Sequence, residues 1–299
     1  MIFVLSQGRL KGKNATMGMT DKIEKLNNSL IHHGKLSDRI YLMGLAPQDV
    51  ASDFLLKLDD LVVKNNYSKI FAKVPASSVA IFLNNGYRQE AFVKKFFAKD
   101  DGYFISKYFN YERSKDEKQA IIDKVLATAK AKAEEKEEQR TPEHNYKIDK
   151  LAINDIPQIV EIYKQVFATY PFPIHNQSYI KETMLDNVIY FGIWDGNKII
   201  AIASCEMNRK ELNAEMTDFA TLEEYRGQAL ASFLLHKMEK VMQQMGMQTL
   251  YTIARAYSFG MNITFAKNQY IYAGTLVKNT NISGQIESMN VWYKNLAIL

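Results

Sequence analysis

The strand-like run NAEMTDFAT at 213–221 carries two carboxylates, Glu215 and Asp218, in a setting where acidic residues are depleted. Each therefore has a reason to be there. Strand alternation sends the two side chains to opposite faces unless the strand is bulged, and only one of them need point at an acceptor. Five residues on, the chain turns into an amphipathic helix through Arg226, Gly227, Gln228, Ala229, Leu230 and Ala231. The first amides of a helix have no intrahelical partner, and the helix dipole adds about half a positive charge at that end. A phosphate placed there is held by groups that the fold must solvate anyway. Gly227, Ala229 and Ala231 keep side chains out of the way and Arg226 adds fixed charge, so the corner reads as a phosphate cradle. Tight packing of a helix on a sheet is the other reading of the same small residues.

The elements that position these groups follow from composition and periodicity. The chain has 299 residues, 47% of them apolar and 24% charged, which suits two globular domains. Its net charge of +5 comes from Lys and Arg interleaved with Asp and Glu, which argues against a nucleic-acid partner. A single cysteine, Cys205, excludes an internal disulfide and a thiol cluster for zinc, and fits a reducing cytoplasm. The five histidines (His32, His33, His144, His175 and His236) show no metal-ligand spacing, so no metal is expected. The apolar start Met1 to Leu5 gives way to Ser6, Gln7 and Arg9 too soon for a signal peptide, and no stretch reaches membrane-spanning length. Residues 1–18 read as an unstructured extension, with Met17 or Met19 as alternative starts.

Residues 114–140 contain as many basic as acidic side chains and no Gly or Pro, the pattern of an exposed helical linker. Beyond it the pattern predicts a strand at 146–152, helices over 154–167 and 178–185, and strands at 188–194 and 199–207 around the hairpin signal Asp195-Gly196-Asn197-Lys198. A strand at 214–221, a helix over 227–245, a strand at 249–256, a short helix over 260–267 and strands at 270–277 and 288–296 complete it. The first half repeats the latter part of that order, with strands at 39–43, 69–74, 87–97 and 103–109 and helices over 48–65 and 76–83. Phe82 stands five residues before Tyr87 as Phe265 stands five before Tyr270, which points to an internal repeat.

The element order of 146–299, with a glycine-containing loop between its fourth strand and third helix, resembles the GNAT N-acetyltransferase fold. That is an α/β (α+β) fold with a mixed, mostly antiparallel central sheet. The expected organisation is an N-terminal extension and lead-in at 1–32, a partial GNAT-like domain at 33–113, a charged helical linker at 114–145 and a catalytic domain at 146–299. Pro47 stands at the cradle position of the partial domain and removes an amide there, so no cofactor site is expected in that domain.

The resemblance implies acetyl-CoA as co-substrate, its pyrophosphate on Arg226 to Ala231. Arg226, Ala229 and Ala231 fill the family's pattern, with Ala229 where a Gly is usual. By position, the amides of Phe219 and Thr221 meet the pantetheine arm and the thioester carbonyl, and Ser258 and Asn262 are further cofactor contacts. An amine attacks a thioester only when neutral, and one of pKa ≈ 10.4 is neutral about once in 2,500 molecules at pH 7, a penalty of roughly 4.6 kcal/mol. A base must take the proton. The resemblance puts Glu215 first in that role and Asp218 second. By spacing from Tyr270, the place of the family's general acid, a Tyr, falls to Phe265, which leaves Tyr257, Ser258 or solvent to protonate the thiolate.

The segments TYPFPI (169–174), AEMTDFAT (214–221), ARAYSFGMN (254–262) and ESMNVWYK (287–294) are similar to those of the β-lysine N-acetyltransferases. This implies transfer to the ε-amine of L-β-lysine, supplied by a lysine 2,3-aminomutase, with N6-acetyl-β-lysine accumulating as a compatible solute in osmoadaptation. β-Lysine carries two ammonium groups and one carboxylate. Glu215, Asp218 and Glu287 are the candidate partners of the ammonium groups and Arg255 of the carboxylate, with Tyr170 and Phe172 walling the pocket. Another small amine, a polyamine or a protein lysine as acceptor, and a non-catalytic acyl-CoA sensor, stay open as alternatives. So does homodimerisation.

Overall fold

The computed structural model describes residues 21–50, 53–135 and 146–297. The first half runs β1 (Lys22–Leu26), β2 (Ser29–Gly34), β3 (Arg39–Gly44), α1 (Pro47–Val50), α2 (Phe54–Asn65), β4 (Lys69–Pro75), α3 (Ala76–Asn84), β5 (Arg88–Phe97) and β6 (Asp100–Tyr108). Helix α4 (Gln119–Glu134) leads to β7 (Lys147–Lys150), α5 (Ile156–Val166), α6 (Gln177–Asp186), β8 (Val188–Asp195), β9 (Lys198–Asn208) and β10 (Asn213–Thr221). Then follow α7 (Leu230–Gln244), β11 (Thr249–Arg255), α8 (Phe259–Lys267), β12 (Ile271–Ile282) and β13 (Gln285–Asn295).

The 13 strands of the described residues join one sheet, in the order β1-β2-β3-β4-β6-β5-β12-β13-β11-β10-β9-β8-β7. The order is symmetric about its middle. β3, β4, β6 and β5 stand as β10, β11, β13 and β12 do, and each set has one parallel pair, β3 with β4 and β10 with β11. The halves meet through a single pairing, Gly274 of β12 opposite Ala91 of β5. Beyond it the sheet curls so that Tyr41, Phe71, Phe96 and Phe104 of the first half share an apolar cluster with Tyr251, Met289 and Val291 of the second.

Local sequence explains the elements. Helix α7 buries Leu230, Leu234, Leu235, Met238, Val241 and Met242, one stripe at helical spacing, against the second-half sheet. The β8–β9 turn closes Asp195 onto Lys198 with Gly196 at φ +57, as the dipeptide signal required.

Two expectations need correcting. The lead-in already contains β1 and most of β2, so the pairing begins at Lys22 and residue 33 lies inside a strand. Its two-residue turn, Asn27-Asn28, places Asn27 at φ +51, a conformation asparagine tolerates better than most residues. The charged segment after β6 is also more than a linker. Ile122, Val125 and Ala129 of α4 are fully buried and the helix packs on α8, while Asp116 accepts hydrogen bonds from Tyr257 and Ser288. Its apolar stripe is narrow enough to be hidden by the charge around it.

Candidate active site

Strand β10 builds the site by breaking its own regularity. It pairs with β11 only over Asn213, Ala214 and Glu215. On its other side the register to β9 slips between Thr217 and Ala220, with Asp218 at φ +55. This one-residue bulge turns Glu215, Thr217, Asp218 and Phe219 alike toward one cavity, which Ile253, Ala254 and Arg255 of β11 also line. The parallel strands thus splay apart beside a row of polar side chains.

Glu215 stands directly opposite Glu206 of β9 across the antiparallel pair. Like charges in that arrangement repel, and both line the cavity. Burial and the neighbouring Glu215 push Glu206 up to about 7, while Lys73 works in the other direction. Burial also raises Glu215, against the pull of Lys73 and the Tyr251 hydroxyl. Asp218 is raised by burial too, but it is already engaged: Tyr170, Ser204 (2.6 Å) and Thr217 (3.4 Å) donate hydrogen bonds to it. That makes Asp218 the anchor of the Tyr170 loop more than a carboxylate free to take a proton.

The first half supplies the opposite wall with Arg39, Tyr41 and Met43 of β3 and Phe71 and Lys73 of β4. Lys73 donates to the Tyr251 hydroxyl at 3.1 Å and lies over the rings of Tyr41 and Tyr251. Burial disfavours its ammonium, yet Tyr41, Glu215 and Glu206 outweigh that and hold its pKa above the ordinary value. The 169–174 loop closes the cavity with Tyr170, Pro171 and Phe172, and Phe172 stacks on His32 at 5.1 Å. Thr169 fixes this loop to the β12–β13 hairpin by accepting from the Gly284 amide at 2.7 Å.

Glu206, Lys73, Arg39 and Tyr41 were not among the residues expected from the sequence. Glu206 had a readable signal, a lone acid inside the apolar strand KIIAIASCEMN. The first-half residues had none, because their role arises from pairing across more than one hundred positions.

The corner at 226–229 leads into α7, which starts at Leu230 and not at the expected residue 227, and it holds one strained residue. Gly227 has φ +83, and a Cβ there would meet no protein atom within 4 Å, so conformation and not packing selects glycine. Arg226 is exposed, its Nε donating to the Thr221 carbonyl at 3.4 Å. Gln228 accepts from the Tyr146 hydroxyl, and Leu230 sends its side chain into the core, leaving its amide at the corner. Ala229, the N-cap of α7, sits at φ +57. The left-handed conformation costs a residue with a Cβ roughly 1–2 kcal/mol. Ala229→Gly should therefore stabilise the protein by about 0.5–1 kcal/mol after the extra chain entropy of glycine, read as a higher urea midpoint. A lower midpoint would contradict the strain.

Other expected contacts are arranged differently. Arg255 forms a two-pronged ion pair with Glu287, at 2.8 and 2.7 Å, and Glu287 is fully buried. Each neutralises the other, so neither is a free charge for the acceptor. Asn262 donates to the Arg255 and Ser258 carbonyls and accepts from Asn290 and Trp292. Its hydrogen-bonding capacity is used up inside the fold, which corrects its assignment as a cofactor contact. Ser258 lines the cavity at the N-cap of α8. Tyr257 is committed to Asp116, and Phe265 packs edge-on to Phe219 and Tyr270.

The Acetyltransferase (GNAT) family is matched over residues 156–261, from the start of α5 into α8, the stretch that holds the bulge, the splay and the helix-start corner. The chain is 43% identical over 274 residues to the β-lysine N(6)-acetyltransferase of Methanococcus maripaludis, covering 92% of this chain and 98% of that one. It is 33% identical over 246 residues to N-acetyltransferase YodP of Bacillus subtilis, covering 80% and 87%. To the β-lysine N(6)-acetyltransferase of Methanosarcina mazei it is 32% identical over 231 residues, covering 71% and 85%.

Proposed function

Because the chain belongs to the GNAT acetyltransferases and, within them, to the β-lysine N6-acetyltransferases, we propose that the cavity between its two halves binds β-lysine with Glu215 at the reacting amine. The protein transfers the acetyl group of acetyl-CoA to the N6 amine of β-lysine. The observation that carries the site reading is the cross-strand pair Glu206 and Glu215, with Asp218 beside it, at the mouth of the β10–β11 splay. Two carboxylates facing each other across a strand pair are tolerated when a dication comes between or beside them. Glu206, Glu215 and Asp218 all line this cavity, with Lys73 as the cation beside the first two, a setting that suits an acceptor carrying two ammonium groups.

The residues present fit the coenzyme. The α7 N-terminus offers unpaired amides beside Arg226 and Gly227, and the edge of β10 at Phe219 and Thr221 lies beyond its pairing with β11. Acetyl-CoA supplies the activated acetyl group. Glu215, its pKa raised by burial, accepts the N6 proton as a general base, a role that contributes about 10²- to 10⁴-fold in rate. Glu206 pairs with the 3-ammonium. Asp218 holds Tyr170 as a wall, and Ser258 or solvent returns a proton to the departing thiolate. We place the reaction after a lysine 2,3-aminomutase; the product, a net-neutral zwitterion, fits the role of a compatible solute. Incubation with acetyl-CoA should give one product, acetylated at N6 by NMR, and acetylation at N3 would contradict the orientation.

Glu206 also sets a pH dependence. As pH falls through about 7 it gains a proton and loses its charge for the 3-ammonium, so the KM for β-lysine should rise toward acid. Glu206→Gln should raise that KM by roughly 10-fold or more and flatten its pH profile near 7. An unchanged profile would remove Glu206 from acceptor binding.

A further inference from the structure

Among the described residues, one cation of the cavity, Arg39, forms no ion pair. Arg39 on β3 is 4% exposed, and its Nη1 donates to the Asn279 carbonyl at 2.6 Å. Its Nε is buried without a hydrogen-bond partner, and no carboxylate among the described residues lies within ion-pair distance of it. The other cavity cations are answered: Arg255 by Glu287, and Lys73 by the field of Glu215 and Glu206 and by the Tyr251 hydroxyl. Burial lowers the Arg39 pKa to about 10 against the opposing influence of Tyr41 and Asp21, and Asp21 already accepts from the Leu36 and Ser37 amides at 2.9 and 3.1 Å. Burial and the guanidinium itself depress His32 to about 4, so the histidine is neutral and adds no second positive charge beside Arg39.

A buried guanidinium without a counter-charge is costly, and a bound carboxylate would relieve that cost. Arg39 is also pre-organised. Its guanidinium lies over the rings of Tyr41 and Phe71, at 5.3 and 5.7 Å, and the Asn279 bond fixes the Nη1 side. The free Nε edge belongs to the planar fork that matches a carboxylate. Strand alternation puts Arg39, Tyr41 and Met43 on the cavity side of β3, the same cavity that Glu206 and Glu215 line from β9 and β10.

We propose that Arg39 binds the carboxylate of the acceptor amino acid, so that a strand of the first half makes the enzyme select amino acids over carboxylate-free diamines. This rests on the acceptor reading given above. Arg39 takes the part that the sequence suggested for Arg255, whose charge Glu287 already cancels.

The test compares β-lysine with 1,4-diaminopentane, the same skeleton without its carboxylate. Arg39→Gln should raise the KM for β-lysine by about 10- to 100-fold with kcat changed much less, as loss of a charge-assisted pair implies. Its KM values for 1,4-diaminopentane and for acetyl-CoA should stay within about twofold of the unaltered protein, a result that damaged folding would not give. Equal losses on both amines, or no loss on β-lysine, would overturn the proposal. If Arg39→Gln does not fold, the unaltered protein decides with 3,6-diaminohexanamide, which replaces the carboxylate by a neutral amide. A KM near that of β-lysine would overturn the role of Arg39, and a large rise would support it. Should the unaltered protein fail to acetylate β-lysine at all, the acceptor reading itself falls; intact β-lysine turnover with an indifferent Arg39→Gln removes only this inference.

Discussion

Glu215→Gln should lower turnover by about 10² to 10⁴ while leaving the KM for acetyl-CoA close to normal. The substitution keeps the shape of the side chain and removes its proton affinity. In the unaltered protein, burial raises the Glu215 pKa, so activity should fall on the acid side as the carboxylate gains a proton and can no longer accept one. In Glu215→Gln that limb disappears, and the rate instead climbs with pH toward the pKa of the amine, because solution deprotonation then does what the carboxylate did. Asp218→Asn should behave differently. Asp218 accepts from Tyr170 and Ser204, so its loss should loosen the acceptor wall and raise the KM for β-lysine. A pH-dependent loss in Asp218→Asn with none in Glu215→Gln would exchange the two roles.

Gly274→Ala should be the most damaging single methyl in the sheet. Gly274 has φ +146, and a Cβ there would stand 2.0 Å from the Glu90 carbonyl oxygen and 2.8 Å from the Ala91 Cα. Both are backbone atoms of β5, so no side chain can move aside. This is the one pairing that carries the sheet from β5 to β12. The expected loss is about 3 kcal/mol or more, a large share of the roughly 5–15 kcal/mol that holds a typical domain. The KM for β-lysine should worsen with it, because the cavity is walled from both sides of the joint. A urea midpoint unchanged from that of the unaltered protein would show that the joint can yield.

Much of the second half was legible because its signals are local. The stripe of α7, the Asp195-Gly196 turn and the small residues from Arg226 to Ala231 are each set by neighbours in sequence. The bulge was legible only as a condition: Glu215 and Asp218 could share a face if β10 carried one, and the slip between Thr217 and Ala220 supplies it. Charge partners were not legible. Arg255 and Glu287 look like two free charges until pairing of β11 with β13 brings them together. Arg39 and Lys73 look like ordinary strand cations until the sheet folds the first half over the second. The docking of α4 was masked in a similar way, since three buried residues among many charges give only a weak periodic signal.

The most direct measurement is the initial rate of free thiol release from acetyl-CoA with a panel of amines: L-β-lysine, α-lysine, spermidine and 1,4-diaminopentane. The carboxylate pair of the cavity and kinship with the β-lysine N6-acetyltransferases lead to one expected order, with kcat/KM highest for L-β-lysine by at least about 10-fold. A kcat/KM for spermidine or α-lysine equal to or above that for L-β-lysine would contradict it.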